Sequence, residues 1–244
     1  MKTFADPRDR LIVALDTPSL RDAETLADRL AGIVRWFKIG PHLFTAAGPD
    51  SIREIRRRGE IFLDLKFHDI PSIVAAGVAA AARLGVSLCT VHALGGSTMM
   101  AAAADAAAAS RETGADRRLR LVGVTLLTSA DAATVSEIGL GASPAAATIR
   151  LARLVHASGL DGVVAAPLDA AEVRKACGAE FLVVCPGIRP EGTGADDQRR
   201  TATPAAAIAA GADMLVVGRA VARAADPREA AAEIIRQIAR AAGG

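Results

Sequence analysis

Eight short apolar runs recur along the 244 residues, each separated from the next by helix-like sequence. They are LIVALD (Leu11–Asp16), WFKIG (Trp36–Gly40), IFLDLKF (Ile61–Phe67), LCTVHA (Leu88–Ala93), LVGVTLL (Leu121–Leu127), GVVAAP (Gly162–Pro167), FLVVCPGI (Phe181–Ile188) and MLVVGRAV (Met214–Val221). Strands this continuously apolar are buried on both faces, the pattern of a parallel sheet. The intervals carry helix signals: SLRDAETLADRLAGI opens at Ser19, and Pro71 and Asp226-Pro227 open two others. Eight strand–helix units in about 250 residues predict an α/β chain folded as a (β/α)₈ TIM barrel. An open doubly wound sheet would want a GxGxxG turn after the first strand, but TPSLRD follows LIVALD. The alanine-rich stretch Ala101 to Ala109 falls where the helix after the fourth strand belongs, and alanine is the best helix former. No linker-like stretch divides the chain, so one domain spanning 1–244 is expected.

Charge and cysteine usage narrow the function. Net charge is only +2 and the basic residues are scattered, so nucleic acid is not an expected partner. The run Arg56 to Arg58 reads as the solvated end of a helix. Cys89, Cys177 and Cys185 show no metal-ligand spacing, and two of them lie in apolar runs where cysteine acts as a small hydrophobe. Nothing demands an oxidising compartment. Met1 to Arg10 is polar with a proline, so no secretory signal is expected. No apolar stretch is long enough to cross a bilayer, and a soluble cytoplasmic protein is expected.

Polar residues interrupt the runs near their carboxyl ends, where a parallel barrel builds its active site. Asp16 closes the first run, Lys38 lies near the end of the second, and Asp64 and Lys66 break the third, with Asp69 just beyond. Residues two apart in a strand share a face. Asp64 and Lys66 are therefore expected to point into the barrel, with Leu63, Leu65 and Phe67 against the helices. One such pair could be a structural ion bridge. Four charged residues at the ends of three consecutive strands, plus Asp69, favour chemistry.

A second constellation follows strands seven and eight, a frequent phosphate site in such barrels. Gly218-Arg219 ends the eighth run, and PGIRPEGTGADDQRR (Pro186 to Arg200) follows the seventh. Glycine admits close backbone approach and arginine a bidentate contact. The long glycine-containing stretch could close as a lid. His92 reads as a core histidine, His42, His68 and His156 have no metal-binding spacing, and Gly95-Gly96 reads as a turn.

Asp64 to Pro71, DLKFHDIP, resembles the D-x-K-x-x-D-I-P signature of the orotidine 5'-phosphate decarboxylase family. The resemblance continues in order through ALD (Ala14–Asp16), FKIG (Phe37–Gly40), TVHA (Thr90–Ala93), LLTS (Leu126–Ser129), PGIRP (Pro186–Pro190) and VVGRA (Val216–Ala220). It implies loss of CO₂ from C6 of orotidine 5'-monophosphate to give UMP, with no metal and no organic cofactor. Lys66 would stabilise charge at C6 and deliver the replacing proton, between carboxylates that pair with its own charge. Asp64 would lie near the departing carboxylate, and Asp69 would complete an alternating network with Lys38, Asp64 and Lys66. The resemblance further implies a homodimer, with Asp69 and Ile70 contributed to the neighbouring subunit's site. Asp16 and Lys38 match residues that contact ribose hydroxyls. Thr128 matches a position facing the pyrimidine, a contact Ser129 could equally make. Arg189, Gln198, Gly218 and Arg219 match the phosphate site and its closing loop.

Two positions depart from the family pattern. Ile73 stands where a threonine usually reaches the partner's ribose, and Ser72 where asparagine is common. Neither touches the charged network. D-x-K-x-x-D also occurs in sugar-phosphate decarboxylases and synthases that use Mg²⁺, which is the nearest alternative. A non-catalytic nucleotide-binding barrel is the alternative of another class, and it would not require Asp64, Lys66 and Asp69 together.

Overall fold

Each apolar run forms a strand, and in all but the third the chain leaves the ladder before the run ends. β1 (Leu11–Ala14) leads to α1 (Leu20–Arg29), whose first turn is capped by Ser19 Oγ accepting the Asp22 N–H at 3.2 Å. β2 (Trp36–Ile39) is followed by α2 (Pro41–Ala47) and α3 (Pro49–Ile55), and β3 (Glu60–Phe67) by α4 (Pro71–Arg83). β4 (Leu88–His92) leads to α5 (Gly96–Ala109), and β5 (Arg120–Val124) to α6 (Ala132–Glu137) and α7 (Pro144–Ala157). β6 (Gly162–Val164) precedes α8 (Ala170–Cys177), and β7 (Leu182–Cys185) precedes α9 (Pro204–Ala209). β8 (Met214–Val217) precedes α10 (Arg219–Ala222) and α11 (Pro227–Ala242). This computed structural model describes residues 4–110, 118–141, 143–190 and 200–242.

All eight strands are parallel and pair in sequence order, and β1 closes the barrel on β8. The predicted (β/α)₈ architecture is the observed one. The alanine-rich stretch is the body of α5, Pro71 and Pro227 each open a helix, and Asp226 caps the last by accepting the Arg228 N–H at 2.9 Å. Arg56 to Arg58 follow the carboxyl end of α3, where Arg57 pairs with Glu54 at 2.8 Å and Arg58 with Asp28 at 2.6 Å. Gly95-Gly96 does more than turn the chain: a short 3₁₀ segment, Ala93–Gly95, runs directly into α5. No described helix is long and apolar enough to cross a membrane.

Strand alternation sorts the core into two layers. Leu11, Val13, Phe37, Ile39, Ile61, Leu63, Cys89 and Val91 point outward and pack beneath the helices. Ile12, Ala14, Trp36, Phe62, Leu88, Val122, Val124, Leu182, Val184, Met214 and Val216 fill the barrel. Burial pushes the Cys89 and Cys185 thiols well above their usual range, which leaves both as inert apolar fillers. Gly162 is the register partner of Leu182, and a Cβ at Gly162 would lie 2.2 Å from the Leu182 carbonyl oxygen and 2.5 Å from its Cβ.

That approach involves backbone in a closed ladder, so no side-chain rotation can relieve it. Gly162→Ala should therefore destabilise the barrel by about 1–3 kcal/mol, the usual cost of overpacking. Chemical denaturation should show a lower midpoint with an unchanged slope.

Candidate active site

The inward positions nearest the carboxyl ends of the strands divide sharply by chemistry. Two residues beyond Trp36, Phe62 and Leu88, all inside the barrel, come Lys38, Asp64 and Thr90. The corresponding positions of β1, β5, β6 and β8 are Ala14, Val124, Val164 and Val216. One side of the barrel mouth is charged and the other apolar.

The charged side is a series of alternating signs. Lys38 Nζ lies 3.0 Å from Asp16 Oδ1 and 3.6 Å from Asp64 Oδ2, and Lys66 Nζ donates to Asp64 Oδ1 at 2.9 Å. The Lys38 and Asp64 side chains are only 10% and 14% exposed, so the pairing is needed to offset their desolvation. Asp16 lies two residues beyond the end of β1, in the loop, with its side chain half exposed. Gly40 lets these groups meet. A Cβ there would stand 2.8 Å from Lys38 Nζ and 3.1 Å from Asp16 Oδ1.

Asp64 and Lys66 do face each other, but not along a regular strand. β3 advances four residues from Leu63 to Phe67 while β4 advances only two, from Cys89 to Val91, so the ladder is broken by a bulge. Lys66 is the only non-glycine residue with positive φ, at 53°, among the described residues. A left-handed residue of this kind costs about 1–2 kcal/mol, which the surroundings must hold in place. Leu65 and Phe67 still pack outward against the helix layer, as alternation predicted. Thr90 Oγ1 accepts the Lys66 N–H at 2.8 Å and donates to Asp64 Oδ1 at 3.2 Å.

The charged residues line a cavity of about 370 Å³, within the usual size range of small-molecule sites. Asp16, Lys38, Asp64 and Lys66 form one wall, and Phe62, Val124, Leu126, Val164 and Val216 the apolar remainder. Arg189, Gly218 and Arg219 line the end formed after β7 and β8, joined there by Arg223. Gly218 and Arg219 stand outside β8, Arg219 being the first residue of α10. Thr128 and Ser129 both line the cavity, and Thr128 is the more buried. Gln198 and most of the expected lid, 191–199, lie outside the described residues.

Asp69 does not join the charged series within its own chain. It is exposed, and its Oδ1 accepts the Ile70 N–H at 2.6 Å. Ile70 and Ile73, at the start of α4, are 62% and 54% exposed, an unusual placement for large apolar side chains beside a polar site. His92 is half-buried, with Nδ1 accepting the Leu94 N–H at 3.3 Å and its ring stacked 5.3 Å from that of His68. Burial, His68 and Lys66 together push its imidazole below the ordinary range. Among the described residues no three His, Cys, Asp or Glu side chains converge in a way that could hold a metal ion.

Thr90, Gly40 and Arg223 were not singled out as site residues from sequence. Thr90 was the one with a usable signal, a polar residue two positions after an inward leucine in an otherwise apolar run. Gly40 and Arg223 matter only through distances between elements.

Comparison with known proteins agrees with the geometry. Residues 9–234 match the model of the orotidine 5'-phosphate decarboxylase / HUMPS family. A protein of Halorhodospira halophila named orotidine 5'-phosphate decarboxylase is 52% identical over 233 residues, 95% of this chain and 97% of that protein. One of the same name from Trichlorobacter lovleyi is 46% identical, covering 97% and 98%. The crystal structure of orotidine 5'-phosphate decarboxylase from Lactobacillus acidophilus superposes with a TM-score of 0.82 at 37% identity, covering 93% of this chain and 98% of that one.

The role of Gly40 can be checked directly. Its backbone has φ −100°, which alanine adopts freely, so Gly40→Ala should act only through the added methyl. Lys38 should move beyond about 4 Å from Asp16 in a crystal structure of the variant. Because Asp16 is half exposed, the loss of that pair should lower unfolding free energy by no more than about 1 kcal/mol.

Proposed function

The chain belongs to the orotidine 5'-phosphate decarboxylase / HUMPS family, and from that premise we propose that it converts orotidine 5'-monophosphate to UMP and CO₂ in pyrimidine synthesis. The family model alone spans two chemistries. The two relatives described above, 46% and 52% identical over nearly the whole chain, both carry the decarboxylase name, which favours that branch over the Mg²⁺-dependent sugar-phosphate one. The single observation that carries the reading is the Asp16–Lys38–Asp64–Lys66 series beside an apolar wall in one cavity. A binding module would gain nothing from charges held this closely in a poorly solvated site.

In this reading the C6–CO₂ bond breaks, its electron pair stays on C6, and Lys66 Nζ donates the proton that replaces CO₂. Fixed charges in a partly desolvated cavity stabilise the developing carbanion with little reorganisation. Asp64, held from three sides, stands near the leaving carboxylate. Asp16 and Lys38 take the ribose hydroxyls, and Thr128 or Ser129 the pyrimidine. Arg189, Gly218 and Arg219 take the phosphate, with Gln198 from the outlying segment. Contacts made to the phosphate, far from C6, can be spent on ordering the charges as well as on affinity. No cofactor is required by this scheme. We assign the whole chain, 1–244, to one decarboxylase domain in the cytoplasm, consistent with three free, buried cysteines.

The active species in this proposal is a homodimer in which Asp69 and Ile70 complete the neighbouring site. Asp69 is exposed and outside its own chain's charged series, and Ile70 beside it is largely uncovered. A second copy would satisfy both. Ile73 offers that interface a methyl-rich surface where a threonine hydroxyl is usual.

The purified protein, freed of metal with a chelator, should consume orotidine 5'-monophosphate with loss of the orotate absorbance. Lys66→Ala should slow turnover by more than about 10⁴-fold while UMP still binds. Turnover that needs added Mg²⁺, or a Lys66→Ala enzyme that keeps its rate, would overturn the assignment.

Mixing the two inactive proteins Lys66→Ala and Asp69→Ala tests the shared site. After subunit exchange, verified with two different tags, half the dimers are mixed and one of their two sites is intact. About a quarter of wild-type activity should return for a closed two-fold dimer. No recovery after proven exchange would place Asp69 in its own chain's site.

A further inference from the structure

We propose that Thr90 is a positioning residue for this chemistry, its one hydroxyl holding both the left-handed backbone of Lys66 and the carboxylate of Asp64. The inference deepens the decarboxylase reading of the same site and rests on it.

Thr90 is fully buried and does not line the cavity, so it has no path to the substrate. It acts instead on the two residues nearest the reacting carbon. Opposite Thr90 the β3–β4 ladder is interrupted between Leu63 and Phe67, so Lys66 has no register partner on β4 across the bulge. The hydroxyl takes that place, accepting the Lys66 N–H at 2.8 Å. Its own proton is then directed to Asp64 Oδ1 at 3.2 Å, the oxygen that also receives Lys66 Nζ at 2.9 Å. One side chain therefore sets the backbone from which the lysine springs and the carboxylate to which it points. A hydroxyl is needed, because only a group that accepts and donates at once can bridge an N–H and a carboxylate. Valine matches threonine in shape but would leave the Lys66 N–H buried without this partner and release Asp64 on one side.

Thr90→Val, Thr90→Ser and Thr90→Cys are compared with the wild-type enzyme on orotidine 5'-monophosphate, with UMP binding measured in parallel. Misplacing a reacting group by about 1 Å can cost roughly 10²-fold in rate. Thr90→Val should lose about that much in kcat while KM and UMP affinity stay within about threefold, and Thr90→Ser should recover to within about threefold of wild type. Near-normal kcat in Thr90→Val, or equal damage in Thr90→Ser, would overturn the proposal. Should Thr90→Val fail to fold, the Ser and Cys variants decide. The thiol is a poor donor and acceptor, so slow Cys with fast Ser supports the bridge, and equal rates for the two overturn it. A crystal structure of the folded Val or Cys variant gives a reading independent of activity. Lys66 should leave positive φ, and its staying there would overturn the positioning role. Failure of the wild-type protein to decarboxylate would instead sink the functional reading, leaving that structural test standing.

Discussion

Everything at the mouth of this barrel turns on how Asp64 is held. One oxygen receives Lys66 and Thr90, and the other faces Lys38, which in turn reaches Asp16. A carboxylate this little exposed needs such partners to offset its desolvation, and removing one from a buried pair typically costs about 3–5 kcal/mol. Lys38, Asp64 and Lys66 are therefore interdependent, with the half-exposed Asp16 the least constrained of the four. They come from, or just beyond, three consecutive strands, so the order of the barrel is what brings them into line.

The other half of the cavity gives those charges their effect. The side chains of Phe62, Val124, Val164 and Val216 offer no polar atoms, so on that side fields from the charged wall are weakly screened. This division suits a reaction in which charge moves from a carboxylate to a ring carbon. A uniformly polar site would solvate the departing carboxylate, and a uniformly apolar one would leave the carbanion unsupported. In the proposed scheme the arginines at the far end would take the phosphate, away from the reacting carbon, and so would add binding without disturbing the charge balance at Lys66.

Strain has a defined location. The bulge in β3 and the positive φ at Lys66 occur at the one strand that carries two charged site residues. A regular strand would set Lys66 a further step along the barrel axis from Asp64. Crowding extra residues into β3 keeps the ammonium close to the carboxylate while Leu65 and Phe67 still reach the helix layer. The rest of the barrel is regular, and its tightest spots, such as Gly162 against Leu182, are matters of packing.

Much of this was legible in the amino-acid order. Eight apolar runs with helical intervals determine a parallel barrel, since strands buried on both faces need helices to cover them. Period-two alternation assigns Asp64 inward and Leu63 outward, and charges near strand ends mark the mouth. These are local rules, and the residues they concern lie close in sequence. What tertiary structure decided is of another kind. The backbone of Lys66 at the bulge is bonded to Thr90, 24 positions away on the next strand. The fit of Gly40 beneath the Lys38–Asp16 pair depends on three elements meeting. Arg223 reaches the cavity only because the short α10 turns it there. Asp69, expected to serve the neighbouring subunit's site, is exposed and bonds the Ile70 N–H in its own chain. Periodicity fixes which face a side chain takes, but distances across a closed barrel follow from packing of the whole chain, and catalysis is a matter of those distances.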